Sequence, residues 1–389
     1  MRSIRPLLAA TGLVAALALT ATACGPGEDQ AADKPAATES AGTGAGGGLS
    51  AGLADTLKKH GVDPEKWKNG EWKNWDKDKW LREAEDFVNP VIDGLWKPDR
   101  MKSAKDPAKT MSAGDFSGDQ GVSDPEPKPV RAEREKTPYH DYAAPVGKVF
   151  FDSPEGHMVC SGTVVKDPKN PGRSNLVWTA GHCVHAGSKG GWYRNIVFVP
   201  AYNDQGKDAA ALRNAQPQEI APYGAYWADW ATTSGEWLAD GGPTGGEGAP
   251  YDYAVLHVKP EKGTKSLEET VGNALAVSFD APGAKRISAM GAWGYPAAPP
   301  YDGLIMHKCV DRPGRLSISP GTPTMYRIGC TMTGGSSGGG WFSKGDDGKP
   351  ALVSNTSIGP VTSGWLAGPH LGQGAEQIFT MMSDKFGGQ

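Results

Sequence analysis

The stretch Thr333-Gly-Gly-Ser-Ser-Gly-Gly-Gly-Trp341 places two serines between glycines. A nucleophile for acyl transfer needs backbone N–H groups aimed at the developing oxyanion, and glycine allows the backbone to turn so that it can aim them. Most runs of glycine and serine are linkers. This run follows Cys330 and leads into the strand-like pair Trp341 and Phe342, which favours a folded loop. We therefore take Ser337 as a candidate nucleophile.

A second stretch, Leu176-Val-Trp-Thr-Ala-Gly-His182-Cys183, is an apolar strand that ends in small residues and then presents a histidine beside a cysteine. A general base needs a neutral imidazole that is held in place, and a disulfide at Cys183 would fix the backbone next to His182. A lone histidine is more commonly a surface residue or a hydrogen-bonded core residue. The histidines without this context are His60, His140, His157, His185, His257, His307 and His370.

A third stretch, Tyr251-Asp252-Tyr-Ala-Val-Leu-His-Val258, opens an alternating strand with a carboxylate. Asp252 is thus expected at the mouth of a strand, where it can be buried against an imidazole N–H. Taken singly, such an aspartate is more commonly an ordinary turn residue. The candidate catalytic residues are His182, Asp252 and Ser337, in that chain order.

Short apolar segments separated by turns rich in glycine, proline and aspartate predict a mainly β fold. The expected strands are Val146–Phe151, Met158–Val165, Leu176–Ala180, Asn195–Tyr202, Tyr253–Val258, Ala274–Phe279, Arg286–Trp293, Leu304–Val310, Thr324–Gly329, Gly340–Phe342 and Leu352–Ser357. Helical spacing of apolar residues predicts a closing helix over Glu376–Phe386. Residues 203–250 contain no clear strand and are interpreted as a surface insertion. Because strands and helices do not alternate, antiparallel barrels are expected rather than a parallel sheet.

Residues 1–23 have the pattern of a signal peptide, with a positively charged start and a short apolar segment before Ala21 and Ala23. Two processing routes stay open. Cleavage after Ala23 would release the protein, whereas acylation of Cys24, as in a bacterial lipobox, would anchor it to a membrane. Export favours disulfides, so the four cysteines of the second half can pair while Cys24 is left over.

Residues 24–52 are small and polar and are expected to form a flexible tether. Residues 53–136 are interpreted as a Trp-rich helical pro-segment or stalk followed by a polar linker over 101–136, with a helix expected over Asp76–Val88. The alternative for the Trp-rich part is an aromatic surface that binds the cell wall or another ligand. The formal net charge of −4 gives no global basic field, so no nucleic-acid partner is expected.

Together the three stretches resemble the chymotrypsin-like serine protease family over residues 137–389. The order His, Asp, Ser is that family's order and differs from the other two common triad folds. Thr179-Ala-Gly-His182-Cys183 matches the family's histidine block, and Gly335-Ser-Ser337-Gly-Gly339 matches its nucleophile block. The resemblance implies two antiparallel β-barrels of chymotrypsin type with a C-terminal helix. It also implies an endopeptidase that needs no cofactor and acts on proteins or peptides. With the signal pattern of residues 1–23 and Cys24, we expect this endopeptidase to be exported or surface-anchored, and we expect a monomer.

The resemblance also implies two disulfides. Cys160 lies where the family places the partner of the cysteine after the histidine, so Cys160–Cys183 is expected, and Cys309–Cys330 is expected across neighbouring strands of the second barrel. One position departs from trypsin-like members, which carry an aspartate that pairs with a new N-terminus. Ser336 stands there and cannot form that ion pair. The chain therefore resembles the bacterial branch with the glutamyl endopeptidases. Neutral hydrogen bonds and the Cys309–Cys330 disulfide should hold its nucleophile loop, Thr333–Gly338.

The family's mechanism would assign a role to each candidate. Ser337 would attack the substrate carbonyl and form an acyl-enzyme, with His182 as general base and Asp252 orienting the imidazole. The amides of Gly335 and Ser337 would bind the oxyanion.

The resemblance further implies a set of substrate-binding residues: Thr331, Thr333, Thr356, Ser357, Ile358, Gly359 and His370. Ser357 should lie behind the triad, and Ile358 and Gly359 should pair with the substrate backbone as an added strand. No acid occupies the expected pocket base, so a preference for Lys or Arg is not expected. His370 either receives an acidic substrate side chain or is structural.

Two other functions compete with this interpretation. A zinc site is the first alternative, with its ligands in two clusters: His157, Cys160, His182, Cys183 and His185. A non-catalytic binding module on a protease scaffold is the second. The zinc site would leave Ser337 and Asp252 unexplained, and an intact triad argues against the binding module.

Overall fold

A computed structural model of the chain describes residues 58–59, 62–75, 86–107, 110–111, 122–345, 348–362 and 364–388. The predicted signal peptide, the tether and Cys24 lie outside the described residues. Within the described part of the chain, no helix is long and apolar enough to cross a membrane.

The secondary structure is mainly short strands. In chain order these are β1 (Asp86–Val88), β2 (Thr110–Met111), β3 (Glu133–Arg134), β4 (Val146–Ser153), β5 (Gly156–Val165), β6 (Leu176–Thr179), β7 (Arg194–Pro200), β8 (Tyr226–Thr233), β9 (Ala254–Pro260), β10 (Ala276–Val277), β11 (Met290–Gly294), β12 (His307–Asp311), β13 (Gly314–Leu316), β14 (Met325–Cys330), β15 (Gly340–Lys344), β16 (Pro350–Asn355), β17 (Gly359–Pro360) and β18 (Gly364–Gly368). The α-helices are α1 (Pro64–Lys68), α2 (Pro98–Ser103), α3 (Tyr139–Tyr142), α4 (Ala209–Leu212), α5 (Pro217–Ile220), α6 (Gly235–Asp240), α7 (Leu267–Val271) and α8 (Gln373–Phe386). Short 3-10 helices cover Glu71–Lys73, Gly181–Cys183, Gly246–Tyr251 and Ala284–Arg286.

The first half of the fold is a closed antiparallel barrel. Its strands follow the order β8-β7-β4-β5-β6-β9, and pairing of β9 with β8 closes the ring. The strands are rich in β-branched and aromatic residues, which suit a pleated surface. Phe150, Val159 and Val197 are fully buried on the barrel face that packs against Trp96 and Tyr295, and each such side chain contributes roughly 1.5–3 kcal/mol by leaving water. The expected first barrel is thus present.

Strand β8 corrects the interpretation of residues 203–250 as an insertion without strands. Its sequence carries Asp229 in the middle, which hides the strand pattern. In the structure Asp229 is buried, His257 Nδ1 lies 2.6 Å from one carboxylate oxygen, and Lys259 Nζ lies 2.9 Å from the other. Burial by itself would raise the pKa of Asp229, but His257 and Lys259 hold it below its usual value. These partners on β9 make a charge tolerable inside a barrel strand.

The second half contains two sheets. One has the order β10-β16-β15-β11-β12-β3, and the other has the order β13-β14-β18. The disulfide Cys309–Cys330 joins β12 to β14, and Cys160–Cys183 joins β5 to the turn after β6, so both expected disulfides are present. Among the described residues these strands pair as two sheets, and contacts between β12 and β14 bring the sheets together as the expected second β unit. Ile328, Trp341 and Val353 form its core.

The described part of the N-terminal region packs on both halves and corrects two expectations. Asp86–Val88 is strand β1, paired with β8, and not the end of a helix; the remainder of the expected helix, 76–85, lies outside the described residues. Phe87 is 2% exposed and stacks on Trp192 at 5.9 Å. The expected linker over 101–136 contains β3, which extends the second-half sheet at β12.

The predicted C-terminal helix is present as α8, which begins three residues earlier than expected. Phe379 and Met382 are buried on its inner face, and Phe386 stacks on His257 with ring centroids 3.6 Å apart. The helix therefore packs against β8 and β9 of the first barrel, beside the Asp229–His257 pair.

Candidate active site

His182 lies in the 3-10 turn that follows β6, and the Cys160–Cys183 disulfide fixes this turn to β5. The backbone N–H of His182 donates to Asp252 Oδ1 at 2.8 Å. The turn needs glycine at position 181, because a Cβ there would lie 2.7 Å from Thr233 Oγ1. The imidazole is thus placed by local backbone geometry before its side-chain contacts are considered.

The carboxylate of Asp252 is fully buried and accepts three hydrogen bonds. His182 Nδ1 lies 2.6 Å from Oδ2, Ser357 Oγ donates to the same oxygen at 2.6 Å, and the His182 amide donates to Oδ1. The contact with a carboxylate fixes Nδ1 as the protonated ring nitrogen. Nε2 is buried and hydrogen-bonds to none of the described protein groups, so it is left as the basic nitrogen.

Ser337 lies in a tight loop shaped by Gly335 and Gly338. Both glycines have positive φ, +93° and +75°, a conformation that residues with a side chain rarely adopt. A Cβ on Gly338 would also lie 2.6 Å from Ser161 O. Ser336 is buried and its Oγ donates to Thr333 O at 2.7 Å. The neutral hydrogen bond expected at this position is therefore present.

The loop also presents unengaged backbone donors. Within the described part of the chain, the N–H groups of Gly335 and Ser337 donate to no protein acceptor. By contrast, the neighbouring amides of Ser336, Gly338 and Gly339 all bond within the protein. Two unengaged N–H groups in the loop that carries a serine nucleophile can stabilise an oxyanion that develops there.

A cleft of about 170 Å³ adjoins Ser337 and contains five of the seven expected substrate-binding residues. These are Thr333, Thr356, Ser357, Ile358 and Gly359. Residues that the sequence did not single out complete its wall, chiefly Met332, Trp365 and Leu366. The described lining contains no charged side chain.

Two expected substrate-binding residues lie outside this cleft. His370 Nε2 faces Ala281 O at 2.7 Å and its ring packs on Tyr326, so it is structural and does not receive a substrate side chain. Thr331 Oγ1 accepts the Ala132 amide at 2.9 Å. The Thr331 side chain therefore binds the N-terminal region, and Met332 lines the cleft where Thr331 was expected.

No protein-family model matches the chain, and no curated protein matches it significantly. Among solved structures, the thermostable serine protease AL20 from an extremophilic microorganism is 32% identical; the alignment covers 63% of this chain and 99% of AL20, with a TM-score of 0.51. The chain belongs to the chymotrypsin-like serine proteases. The protease Anisep from Arthrobacter nicotinovorans is 27% identical over 65% of this chain and 99% of its own length, with a TM-score of 0.50. A Glu endopeptidase structure covers 68% of the chain at 14% identity, with a TM-score of 0.45.

The zinc alternative fails within this serine protease fold. Cys160, His182 and Cys183 are close together, but the two sulfurs are bonded to each other. A disulfide sulfur is not the thiolate that zinc requires. His157 Nδ1 lies 2.6 Å from Asp152 and His185 Nδ1 accepts the Gly187 amide, and neither histidine belongs to the Cys160, His182 and Cys183 cluster.

Ser161 is a residue of this serine protease site that the sequence did not single out. Its Oγ donates to Gly335 O and accepts the Tyr295 amide, both at 2.9 Å, and its own amide donates to Ser337 O at 2.7 Å. The available signal was its position directly after Cys160. Ser161 thus ties the first barrel to the nucleophile loop.

We expect Ser161→Ala to lower kcat/KM for a peptide substrate about 5-fold, because one hydrogen bond that orients the loop, worth about 1 kcal/mol, is lost. Steady-state kinetics would measure this. Ser343→Ala is the matched control, since Ser343 Oγ on β15 also donates to a backbone carbonyl, that of Ala289, but in a solvent-exposed hydrogen bond. Equal kcat/KM values for the two variants would contradict the role given to Ser161.

Proposed function

We propose that this protein is a serine endopeptidase that hydrolyses peptide bonds through an acyl-enzyme on Ser337. The observation that carries the proposal is the buried chain Ser357–Asp252–His182, which leaves Nε2 as the basic nitrogen. It lies in a fold whose relatives are serine proteases. The nucleophile loop adds the two unengaged amides that the chemistry requires.

In the proposed reaction, Ser337 Oγ attacks the substrate carbonyl carbon while His182 Nε2 takes the hydroxyl proton. The carbonyl oxygen becomes an oxyanion and accepts hydrogen bonds from the amides of Gly335 and Ser337. The C–N bond then breaks, the leaving amine takes the proton from Nε2, and the acyl group stays on Ser337. Water repeats the sequence and releases the acid. Asp252 stays ionised throughout and stabilises the imidazolium.

Ser337→Ala and His182→Ala should each lower peptide hydrolysis by several orders of magnitude, because the two residues act as one unit. The melting temperature should stay close to that of the wild type. His140→Ala, at a half-exposed histidine away from the cleft, is the control and should keep full activity. A serine-directed phosphonate should label Ser337 in the wild type only. Activity near that of the wild type in either triad variant would overturn the assignment. A chain that stays unlabelled and inactive even when Lys105→Pro loosens the N-terminal region would favour a binding module.

The cleft next to Ser337 suggests the substrate class. Met332, Trp365 and Leu366 are at most 4% exposed and supply apolar walls, while Thr333 and Thr356 supply hydroxyls. Without a charge in its described lining, the cleft offers no partner for a buried charged group, whose desolvation is costly. We infer that it takes a small to medium, neutral and apolar side chain on the N-terminal side of the cut bond.

Profiling cleavage of a peptide library should show Leu, Met or Val before the cut bond, preferred over Lys and Glu by about 100-fold or more. Leu366→Ala should shift the preference toward Phe and Tyr, because it removes a wall of the cleft. Val361→Ala, at an exposed residue on the rim, is the control and should leave the profile unchanged. A preference for Glu or Lys in the wild type would show that a charged group outside the described lining reads the substrate.

We also propose that the N-terminal region is a pro-segment that covers the cleft. At one end, Lys105 N donates to His157 O and Val159 N donates to Lys105 O, both at 2.8 Å, on the strand that carries Cys160 and Ser161. At the other end, β2 pairs with β17 in parallel, with Thr110 opposite Gly359. Gly359 is where a substrate backbone is expected to add.

The polarity of this pairing would protect the segment from cleavage. Strand β17 runs away from the candidate triad, because it follows Ser357, which hydrogen-bonds to Asp252. A substrate chain runs toward the triad up to the bond that is cut, so the substrate residues before that bond would lie antiparallel to β17. Thr110–Met111 is parallel to it. A segment that runs in the opposite direction to a substrate would pair with β17 but would not place a peptide bond in the orientation that Ser337 needs for attack. Since Ser336 is held by a neutral bond, inhibition would act by covering the cleft and not by an unformed oxyanion site.

Lys105→Pro should raise the activity of the full-length chain several-fold, because proline removes the N–H that donates to His157 O. Lys105→Ala keeps that N–H and should behave like the wild type. Initial rates on a small chromogenic peptide would compare the three chains at equal concentration. Equal rates for the proline and alanine variants would refute the covering role.

The two disulfides fit an oxidising, extracellular location. We propose that residues 1–23 direct export, that 24–52 form a tether and that Cys24 is the site of a lipid anchor. Protein or peptide substrates would then be met at the cell surface.

A further inference from the structure

Lys148 is a buried cation that the proposed mechanism does not use. It lies on β4, is 3% exposed, and forms no ion pair within the described part of the chain. Its Nζ donates to Gly303 O at 2.7 Å, and the ring centroids of Tyr202 and Phe150 lie 4.5 and 4.9 Å away. Burying an ammonium costs several kcal/mol, and one carbonyl with cation–π contacts offsets only part of that cost.

The cation connects the first barrel to a loop of the second half, Tyr295–Gly303. Lys148 is directly opposite Ser161 in the β4–β5 pairing, so the two side chains lie on the same face of the sheet. Ser161 Oγ accepts the amide of Tyr295, at the start of the loop, and Lys148 binds the carbonyl of Gly303, at its end. Both ends of the loop are therefore fixed by neighbouring residues of one barrel.

This loop in turn orients one peptide group of the nucleophile loop. Gly334 O accepts the amide of Ala297 at 2.6 Å and that of Ala298 at 3.2 Å. In a trans peptide the carbonyl and the next N–H point in opposite directions. Fixing Gly334 O against the loop therefore turns the N–H of Gly335 away from it and leaves that N–H available for an oxyanion.

We propose that Lys148 is a positioning residue for the oxyanion-binding amide of Gly335, acting through the loop Tyr295–Gly303. This role rests on the proposed function of Ser337. The ammonium touches neither substrate nor the reacting atoms. It fixes the loop carbonyl at Gly303, the loop amides fix Gly334 O, and that carbonyl sets the direction of the Gly335 N–H.

If Lys148 only stabilised the fold, its replacement would lower the melting temperature, and kcat would not be the quantity mainly affected. Burial lowers the pKa of Lys148 to about 7, with Asp302 opposing the change. A lowered pKa means that folding disfavours the charged form, so replacing the ammonium with an apolar group of similar length should not destabilise the fold. Loss of positioning should instead appear in the transition state, where the oxyanion forms.

The test is Lys148→Met in the full-length chain, with Lys262→Met, at an exposed lysine, as the matched control. We expect kcat to fall roughly 10- to 100-fold, with KM within about two-fold and the melting temperature unchanged or higher. The fall in kcat should be smaller than the roughly 100- to 1000-fold lost when an oxyanion donor is removed, because the Gly335 amide stays and only its direction is less well fixed. Affinity for a peptide boronic acid, whose adduct places an oxygen at the oxyanion site, should fall by the same factor as kcat. Lys148→Gln, which keeps an N–H donor, should recover part of the loss.

Each other outcome overturns the proposal. An unchanged kcat in folded Lys148→Met, or equal kcat losses in the Met and Gln variants, would exclude the hydrogen bond to Gly303 as the route. A large fall in melting temperature in both variants would make the role structural. Activity in the wild type and the control with no loss in Lys148→Met would refute the positioning role alone, whereas inactivity of all chains toward peptide and boronic acid would refute the proposed function itself.

Discussion

The buried carboxylate of Asp252 is the contact on which the site depends. It accepts hydrogen bonds from the His182 backbone and ring in the first barrel and from Ser357 in the second half, so one carboxylate fixes the relation between the two halves. An ionised carboxylate is tolerated without water only when its lone pairs are satisfied. Three donors achieve this, and together they fix the tautomer of the histidine.

The nucleophile loop is supported by a different principle. Where trypsin-like members use a buried ion pair, this loop uses neutral contacts: Ser336 Oγ to Thr333 O, and Ser161 Oγ to Gly335 O. Neutral hydrogen bonds avoid the desolvation cost of a buried ammonium and need no newly cut N-terminus. The buried cation near this loop is the side chain of Lys148 on β4, so it is present without any cleavage of the chain.

Where an expectation from the sequence was wrong, contacts with residues far away in the chain decided the local structure. Strand β8 was hidden by Asp229, whose charge is neutralised by His257 and Lys259 on β9. Residues up to Val88 have helical spacing, yet Phe87 lies in a strand because the free edge of β8 offers backbone partners. A histidine in the pocket could receive an acidic side chain, but His370 lies outside the cleft, with its Nε2 2.7 Å from Ala281 O. Such choices depend on neighbours far away in the chain.

The sequence by itself determined the mainly β class, most strands and the closing helix, because these follow from local patterns of apolar and turn residues. It also named three candidate catalytic residues, and its resemblance to a known family implied the two disulfides. Only the tertiary structure decided which groups surround them. Met332 and Leu366 line the cleft, Ser161 hydrogen-bonds to Gly335, and Thr110 pairs with Gly359. The physical reason is that these contacts join segments whose spacing carries no shared pattern, so packing alone brings them together.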